Sequence, residues 1–262
     1  MVKKPLLDVM FASDKRKNVL KLLNNGPQSA DVILDTLGTS RPALIPQMKI
    51  LEDNHLIISQ NGTYTLTTIG KLLVDNMTPL LSSIDVLDTN IDYWGTRELD
   101  FIPSSLLKRL SDLKSCAILE PSFSEIYEVN MKFHEKTKAS NYMNRIATFL
   151  YPNFFSLYSE YIENGVEISL IFSKEVIDKI KSDYTEEFKE LMQTGKIKIF
   201  LSQAEMPFLS IAYNEYSVFL RLLKRNLEFD SKQLICCSPS SIEWCKALFE
   251  FYLNRSISVT DI

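Results

Sequence analysis

The dipeptide Asn61–Gly62 constrains the fold of this chain more than any other feature. It separates two β-prone runs, Leu56–Gln60 and Thr63–Thr67. Asn-Gly supplies the left-handed backbone that a two-residue hairpin loop demands. Such a loop opposes Gln60 to Thr63, Ser59 to Tyr64 and Ile57 to Leu66. Ile57 and Leu66 then share one face, and Gln60, Asn61 and Thr63 form the exposed tip.

Three short helical patterns precede the hairpin. Ser13 or Asp14 can cap the first, whose apolar positions are Val19, Leu20, Leu22 and Leu23, and Gly26–Pro27 ends it. Ser29 caps the second, with Val32, Ile33 and Leu37 expected on its inner face and Gly38 closing it. Thr39 or Ser40 introduces the third, whose Leu44, Met48 and Leu51 make one helical stripe. Proline inside a helix removes a backbone hydrogen bond. Pro46 therefore predicts that this helix begins near Ala43, with Thr39–Pro42 as an extended turn. Three helices followed by a hairpin wing is the order of a winged-helix DNA-binding domain, in which one helix enters the major groove and the wing lies on the flanking backbone.

On that reading Lys15, Arg16 and Lys17 meet phosphate. Ser40, Arg41, Gln47 and Lys49 carry groove contacts, since Arg and Gln suit guanine and adenine edges and Lys suits phosphate. Gln60, Asn61 and Thr63 supply the wing contacts. Charge is distributed accordingly: residues 1–74 hold 9 Lys+Arg against 6 Asp+Glu within a chain of net charge −4. An excess of three is modest, so tight binding calls for two copies or strong base contacts.

After the wing, Thr68 opens a helix expected to reach about Asn90. Its Leu73, Met77, Leu80, Ile84, Leu87 and Ile91 repeat at 4,3 spacing, a heptad seam that either pairs two copies or docks on the second domain. Pro79 is expected to kink or split it. Residues 92–114 read as a connector holding a helix from Pro103 to Leu113. From Cys116 onward, strand candidates at 116–119, 144–149, 166–172, 197–201, 208–213, 216–222 and 233–237 alternate with helices at 123–138, 152–164, 173–193 and 240–255. That alternation indicates an α/β domain. The expected fold is α+β: a winged-helix domain over 1–75, a helical linker and possible dimerisation segment over 76–114, and an α/β regulatory domain over 115–262.

Enzyme chemistry finds little support. There are two histidines, His55 and His134, and seven glycines, with no phosphate-cradling loop and no zinc spacing. His134–Glu135–Lys136 matches the start of the phospholipase D signature. Asn141 stands where that signature needs Asp, there is no second copy, and a solvated helix face is the expected setting. No catalytic residue, metal or cofactor is expected. Tyr142, Tyr151 and Tyr158 carry hydroxyls that a small polar ligand could use. Four cysteines in a chain of 262 residues do not make a disulfide framework. With no membrane span and no signal-peptide core, this suggests the cytoplasm.

The blocks PLLDVMFASDKRKNVLKLL, TSRPALIPQMKILEDNHLI, DYWGTREL, FLYPNFFSLYSEYIENGVEISLIFSKEV and SPSSIEWCKALFEFY occur in an order similar to that of the archaeal methanogenesis regulatory proteins. This resemblance spans nearly the full length. It implies an N-terminal winged helix and a C-terminal regulatory domain like that of archaeal sugar-responsive regulators, a phospholipase D-like half without catalytic residues. The implied protein is a DNA-binding transcription regulator, homodimeric, acting on double-stranded DNA and sensing a small molecule. The alternatives are a phospholipase D-like phosphodiesterase and a winged-helix module that binds protein.

Overall fold

The computed structural model describes residues 4–122 and 128–261. It is a mixed α and β protein of two compact units, Met1–Ile84 and Asp85–Ile262. The expected helix at 123–138 falls partly outside the described residues.

In the first unit, α1 (Leu6–Phe11) and α2 (Asp14–Leu23) precede a two-residue strand β1 (Gln28–Ser29), α3 (Ala30–Leu37) and α4 (Arg41–Asp53). Strands β2 (Ile57–Gln60) and β3 (Thr63–Leu66) follow. The Ser13 side chain accepts from the Arg16 amide and the Ser29 side chain from the Val32 amide, so both expected serine caps form. Asn61 and Gly62 take φ of 51° and 77°, and the hairpin pairs Gln60 with Thr63 and Ile57 with Leu66. β1 adds to the far side of β3, giving the order β1-β3-β2. Val19, Leu20, Ile33, Leu44, Met48, Leu51, Leu56 and Ile57 form the core. Val32, expected inside, is exposed on the outer face of α3.

Two proline expectations are corrected. α4 begins at Arg41, with Pro42 in its first turn, so Pro46 sits in the second turn. The backbone bond lost at Pro46 lies on the exposed side, where water can solvate the freed carbonyl. Helix α5 (Thr68–Thr89) runs unbroken through Pro79, which is exposed as well. The Thr67 hydroxyl accepts from the Gly70 amide at 2.9 Å and opens α5. A Cβ on Gly70 would overlap the Leu56 carbonyl oxygen, so only glycine lets α5 lie this close to the base of the hairpin. The expected heptad seam is divided: Met77 is buried and Leu73 and Leu87 are half-buried, whereas Leu80, Ile84 and Ile91 are exposed. The neighbouring Val74 and Leu81 also enter the core, and Ile69 and Leu72 are exposed.

The second unit begins at the end of α5 and continues through α6 (Ile91–Trp94), α7 (Ser104–Leu107) and a 3-10 turn (Leu110–Leu113). This stretch is no connector. Tyr93, Trp94, Phe101, Ile102, Leu106, Leu110 and Leu113 are buried in the unit's core, and the Trp244 indole donates to the Leu106 carbonyl at 3.0 Å.

The rest comprises β4 (Ala117–Leu119), α8 (Met131–Lys138), β5 (Tyr142–Ala147), α9 (Phe154–Glu163), β6 (Glu167–Phe172), α10 (Lys174–Asp183) and α11 (Thr185–Gln193). Then come β7 (Ile197–Ser202), β8 (Phe208–Asn214), β9 (Val218–Leu222), β10 (Gln233–Cys236), α12 (Pro239–Leu253) and β11 (Ser256–Val259). The expected long helix 173–193 breaks at Tyr184, and β11 has no counterpart in the sequence reading.

Eight strands form one sheet in the order β11-β7-β6-β5-β8-β9-β10-β4. β5, β6 and β7 are parallel, and the other pairings are antiparallel. Side chains alternate between its faces. Ile146, Ile211, Leu220 and Leu234 pack with α12 and the 91–113 stretch on one face. Met143, Ala147, Ala212 and Phe219 pack with the helices on the other.

The cysteine expectation is also corrected. Ala117 pairs with Ile235, which sets Cys116 directly opposite Cys236. Their Cα atoms are 4.3 Å apart and the sulfurs are bonded. Cysteine spacing in sequence does not reveal this cross-strand pairing.

Candidate nucleic-acid interface and ligand cavity

The exposed face of α4 carries Arg41, Pro42, Ile45, Pro46, Lys49 and Asp53. Its other side, Leu44, Met48 and Leu51, is the buried stripe the sequence predicts. Ser40 is the exposed N-cap, in extended backbone. Arg41 is the first helical residue, and its guanidinium meets the Asp31 carboxylate at 2.6 Å with both side chains largely in solvent. Lys15 is exposed on α2. Lys17 reaches Asp14 at 2.7 Å, and this hydrogen bond holds the Asp14 carboxyl below its ordinary value. Gln60 and Asn61 stand exposed at the hairpin tip, with Thr63 half-buried beside them.

Two expected contact residues have other work. Arg16 is buried, 8 % exposed, and is no surface phosphate ligand. Its Nε donates to the Val9 carbonyl, its NH2 group to the Asp8 carbonyl at 3.0 Å, and its NH1 group to Gln47 Oε1 at 2.6 Å. One guanidinium therefore joins α1, α2 and α4. Gln47 is half-buried and its carbonyl oxygen is committed to Arg16, so its amide nitrogen is what it can offer outward. The sequence signal for this was available but weak: Arg16 lies one helical turn before Leu20 and Val19, on the apolar side of α2.

The second unit splits the three tyrosines. Tyr142 lies at the start of β5 on the α12 face, edge-on to Tyr213 at 5.9 Å. It lines an open cleft with Lys136, Glu215, Tyr216 and Cys237. Tyr151 and Tyr158 lie on the opposite face, around a small cavity of about 20 Å³ that Arg145, Tyr161, Ser210 and Phe219 also line. Burial raises the Tyr158 and Tyr161 hydroxyl pKa values above their ordinary range, so both remain neutral donors.

Arg145 is the residue the sequence reading missed. Its signal was a lone cation in the strand sequence Tyr-Met-Asn-Arg-Ile-Ala. It is 4 % exposed. Its Nε donates to Ser210 Oγ at 3.0 Å and its NH1 group to the Tyr158 hydroxyl at 3.4 Å. Its guanidinium carbon lies 4.6 Å from the Tyr151 ring centroid and 5.1 Å from that of Phe149.

The phospholipase-like motif does not assemble. His134 is buried, not on a solvated face; it lies 2.9 Å from the Tyr161 hydroxyl and 3.4 Å from Glu160. Lys136 instead faces the Tyr142 cleft, donating to Cys237 Sγ at 2.9 Å, and Asn141 is held by Glu215. The three side chains point to different partners and frame no common phosphate position. Among the described residues, no cluster of His, Cys, Asp and Glu could hold a metal, and no helix is long and apolar enough to cross a membrane.

Comparison with known proteins matches residues 126–255 to the middle domain of methanogenesis regulatory protein FilR1 and residues 6–89 to the HVO_A0261 N-terminal domain. Methanogenesis regulatory protein FilR1 of Methanothrix harundinacea (strain 6Ac) is 21% identical over 261 residues, which is 98% of this chain. The chain spans 58% of the length of that relative. Among solved structures, the archaeal chromatin protein TrmBL2 aligns with a TM-score of 0.44 at 13% identity, covering 97% of both chains. The polyphosphate kinase of Porphyromonas gingivalis aligns at TM-score 0.40 and 8% identity, over 53% of this chain and 26% of its own. The matched middle domain and the near full-length relative make the chain similar to the methanogenesis regulatory proteins.

Proposed function

We propose that this chain is a DNA-binding transcription regulator, with a winged helix in its first unit and a small-molecule sensor in its second. The observation that carries the reading is the arrangement of the first unit. A buried core holds α4 so that Arg41, Ile45 and Lys49 face outward, while the Asn61–Gly62 hairpin projects its polar tip. In this reading Lys15 and Lys17 contact phosphate. Ser40, Arg41, Gln47 and Lys49 enter the major groove, and Gln60, Asn61 and Thr63 follow the flanking backbone. The regulatory name of the near full-length relative supports the assignment.

The exposed stripe Ile69, Leu72, Leu80 and Ile84 on α5 serves in this proposal to pair two copies. Contiguous apolar surface rimmed by polar residues marks an interaction site. Asn76 in the middle of the stripe fits a pairing helix, where one polar residue fixes register.

The test is a salt-matched mobility-shift assay with promoter DNA from the protein's own genome. Wild type should bind with strong salt dependence. Lys49→Ala should weaken binding and flatten the salt slope by about one. An unaltered slope would remove α4 from the interface, and no salt-dependent binding would favour a protein-binding winged helix.

A further inference from the structure

We propose that the cavity at Arg145 binds a small monovalent anion, of halide to short-carboxylate size. This deepens the sensing reading above and rests on it only for the link to DNA.

The argument begins with the sheet. β5, β8 and β9 pack their inner face with apolar side chains, yet two arginines, Arg145 and Arg221, point into it beside Ser210. Their guanidinium carbons lie 5.1 and 5.2 Å from the same Phe149 ring. Burying an isolated charge is costly, and proteins normally compensate it with a counter-charge. Among the described residues, Arg145 has no such counter-charge. Its hydrogen-bond partners are the neutral hydroxyls of Ser210 and Tyr158, and its NH2 group is buried without a hydrogen bond. The guanidinium is always charged. A buried cation with an unused donor beside a cavity has the chemistry of an anion site.

Size and donor chemistry limit the ligand. The cavity of about 20 Å³ exceeds the ~10–15 Å³ that one water requires, but not by much. It admits a halide, formate or the head of acetate, not a sugar or a nucleotide. Arg145, Tyr158, Tyr161 and Ser210 present hydroxyl and guanidinium donors to one volume, and among the described residues no carboxylate lines it. The walls are Phe133, Met143, Leu157 and Phe219, which favour a monoanion over a strongly hydrated divalent one. Val129 and Asn130 line both this cavity and a wider surface cleft with Glu128 and Lys132, so the two spaces adjoin at residues 129–130.

The full-length protein is titrated with sodium formate, acetate, chloride and bromide against gluconate at constant ionic strength. Thermal stability and heat of binding are the readouts. A ligand that binds only the folded state raises its stability saturably. The expected result is a saturable rise for at least one small anion and none for gluconate. Ser210→Ala should weaken it about tenfold, and Arg145→Met should abolish it. Tyr158→Phe, which preserves packing, serves if Arg145→Met does not fold. Crystals soaked in bromide should show anomalous scattering beside the Arg145 NH2 group. Equal shifts in all salts, or saturation unchanged by Ser210→Ala and Tyr158→Phe, would overturn the site and leave DNA binding untouched. Saturable anion binding with DNA affinity unchanged would overturn the sensing reading while leaving the site.

Discussion

Arg16→Met separates a structural clamp from a DNA contact. In the protein the Arg16 guanidinium satisfies two main-chain carbonyls of α1, Val9 and Asp8, and one side chain of α4, Gln47. Methionine keeps much of the stem and deletes every donor. The bond to Val9 is fully buried, so its carbonyl is orphaned at a cost of about 1–3 kcal/mol. The bonds to Asp8 and Gln47 are part-buried and water can replace them, at about 0.5–1.5 kcal/mol each. The first unit should therefore lose about 2–6 kcal/mol in total. For a unit of this size each kcal/mol lowers the midpoint by roughly 4–8 °C, so the shift should be at least about 8 °C. Both tryptophans, Trp94 and Trp244, lie in the second unit. A helical circular-dichroism transition that moves down while tryptophan fluorescence stays put assigns the loss to the first unit. The opposite result, unchanged unfolding with weaker DNA binding and a salt slope reduced by about one, would place Arg16 at a phosphate and refute the clamp.

Three further outcomes are expected. Asp31→Asn releases Arg41 from its 2.6 Å ion pair and should strengthen DNA binding, whereas Arg41→Ala should cost about 1–3 kcal/mol if Arg41 reads a base; shift assays on both variants check whether the signs oppose. Leu80→Glu, at a position 53% exposed, should leave first-unit stability nearly unchanged yet convert pairs to single copies in analytical ultracentrifugation. In the second unit burial tends to raise the Asp230 pKa, but the Lys232 amide and the Arg97 guanidinium outweigh it and hold the carboxyl below 3.8. A lowered carboxylate pKa stabilises the fold above the ordinary value and that stability is lost as pH falls through the folded value. Stability should thus decline below about pH 4, leaving Arg97 buried without its counter-charge, and Asp230→Asn should remove that part of the acid dependence in pH-resolved denaturation.

Local chemistry made much of the first unit legible. Asn61–Gly62 dictates a hairpin whatever surrounds it, and Ser13 and Ser29 cap because their hydroxyls find amides three residues on. Proline was misread in both α4 and α5 because its cost depends on where the freed carbonyl lies. Pro46 and Pro79 both sit on solvent faces, a tertiary fact. The second unit was legible as alternating strands and helices, but its strand order β11-β7-β6-β5-β8-β9-β10-β4 joins segments far apart in sequence. The cysteine bond, the burial of Arg145 and the separation of Tyr142 from Tyr151 and Tyr158 all follow from that order. A strand of period two also puts Tyr142 and Arg145 on opposite faces, which a list of tyrosine hydroxyls cannot reveal.

The composition of α4 bears on why two copies would be needed. Its outward face offers two cations, Arg41 and Lys49, one anion, Asp53, and the apolar Pro42, Ile45 and Pro46. Ile45 can meet a thymine methyl, but neither proline can donate from its backbone, so one copy reads few base edges. Affinity must then come mainly from phosphate, where Lys15, Lys17, Arg41 and Lys49 are the available cations in the proposed interface. Each neutralised phosphate contributes about 0.9 to the slope of log affinity against log salt. One copy can thus reach a slope of about −3.6, and a pair about −7. Leu80→Glu touches none of these four residues, so if α5 pairs two copies it should halve the salt slope and leave the intrinsic contacts of each copy intact. A slope near −7 that survives Leu80→Glu would show that pairing, if it occurs, does not run through α5.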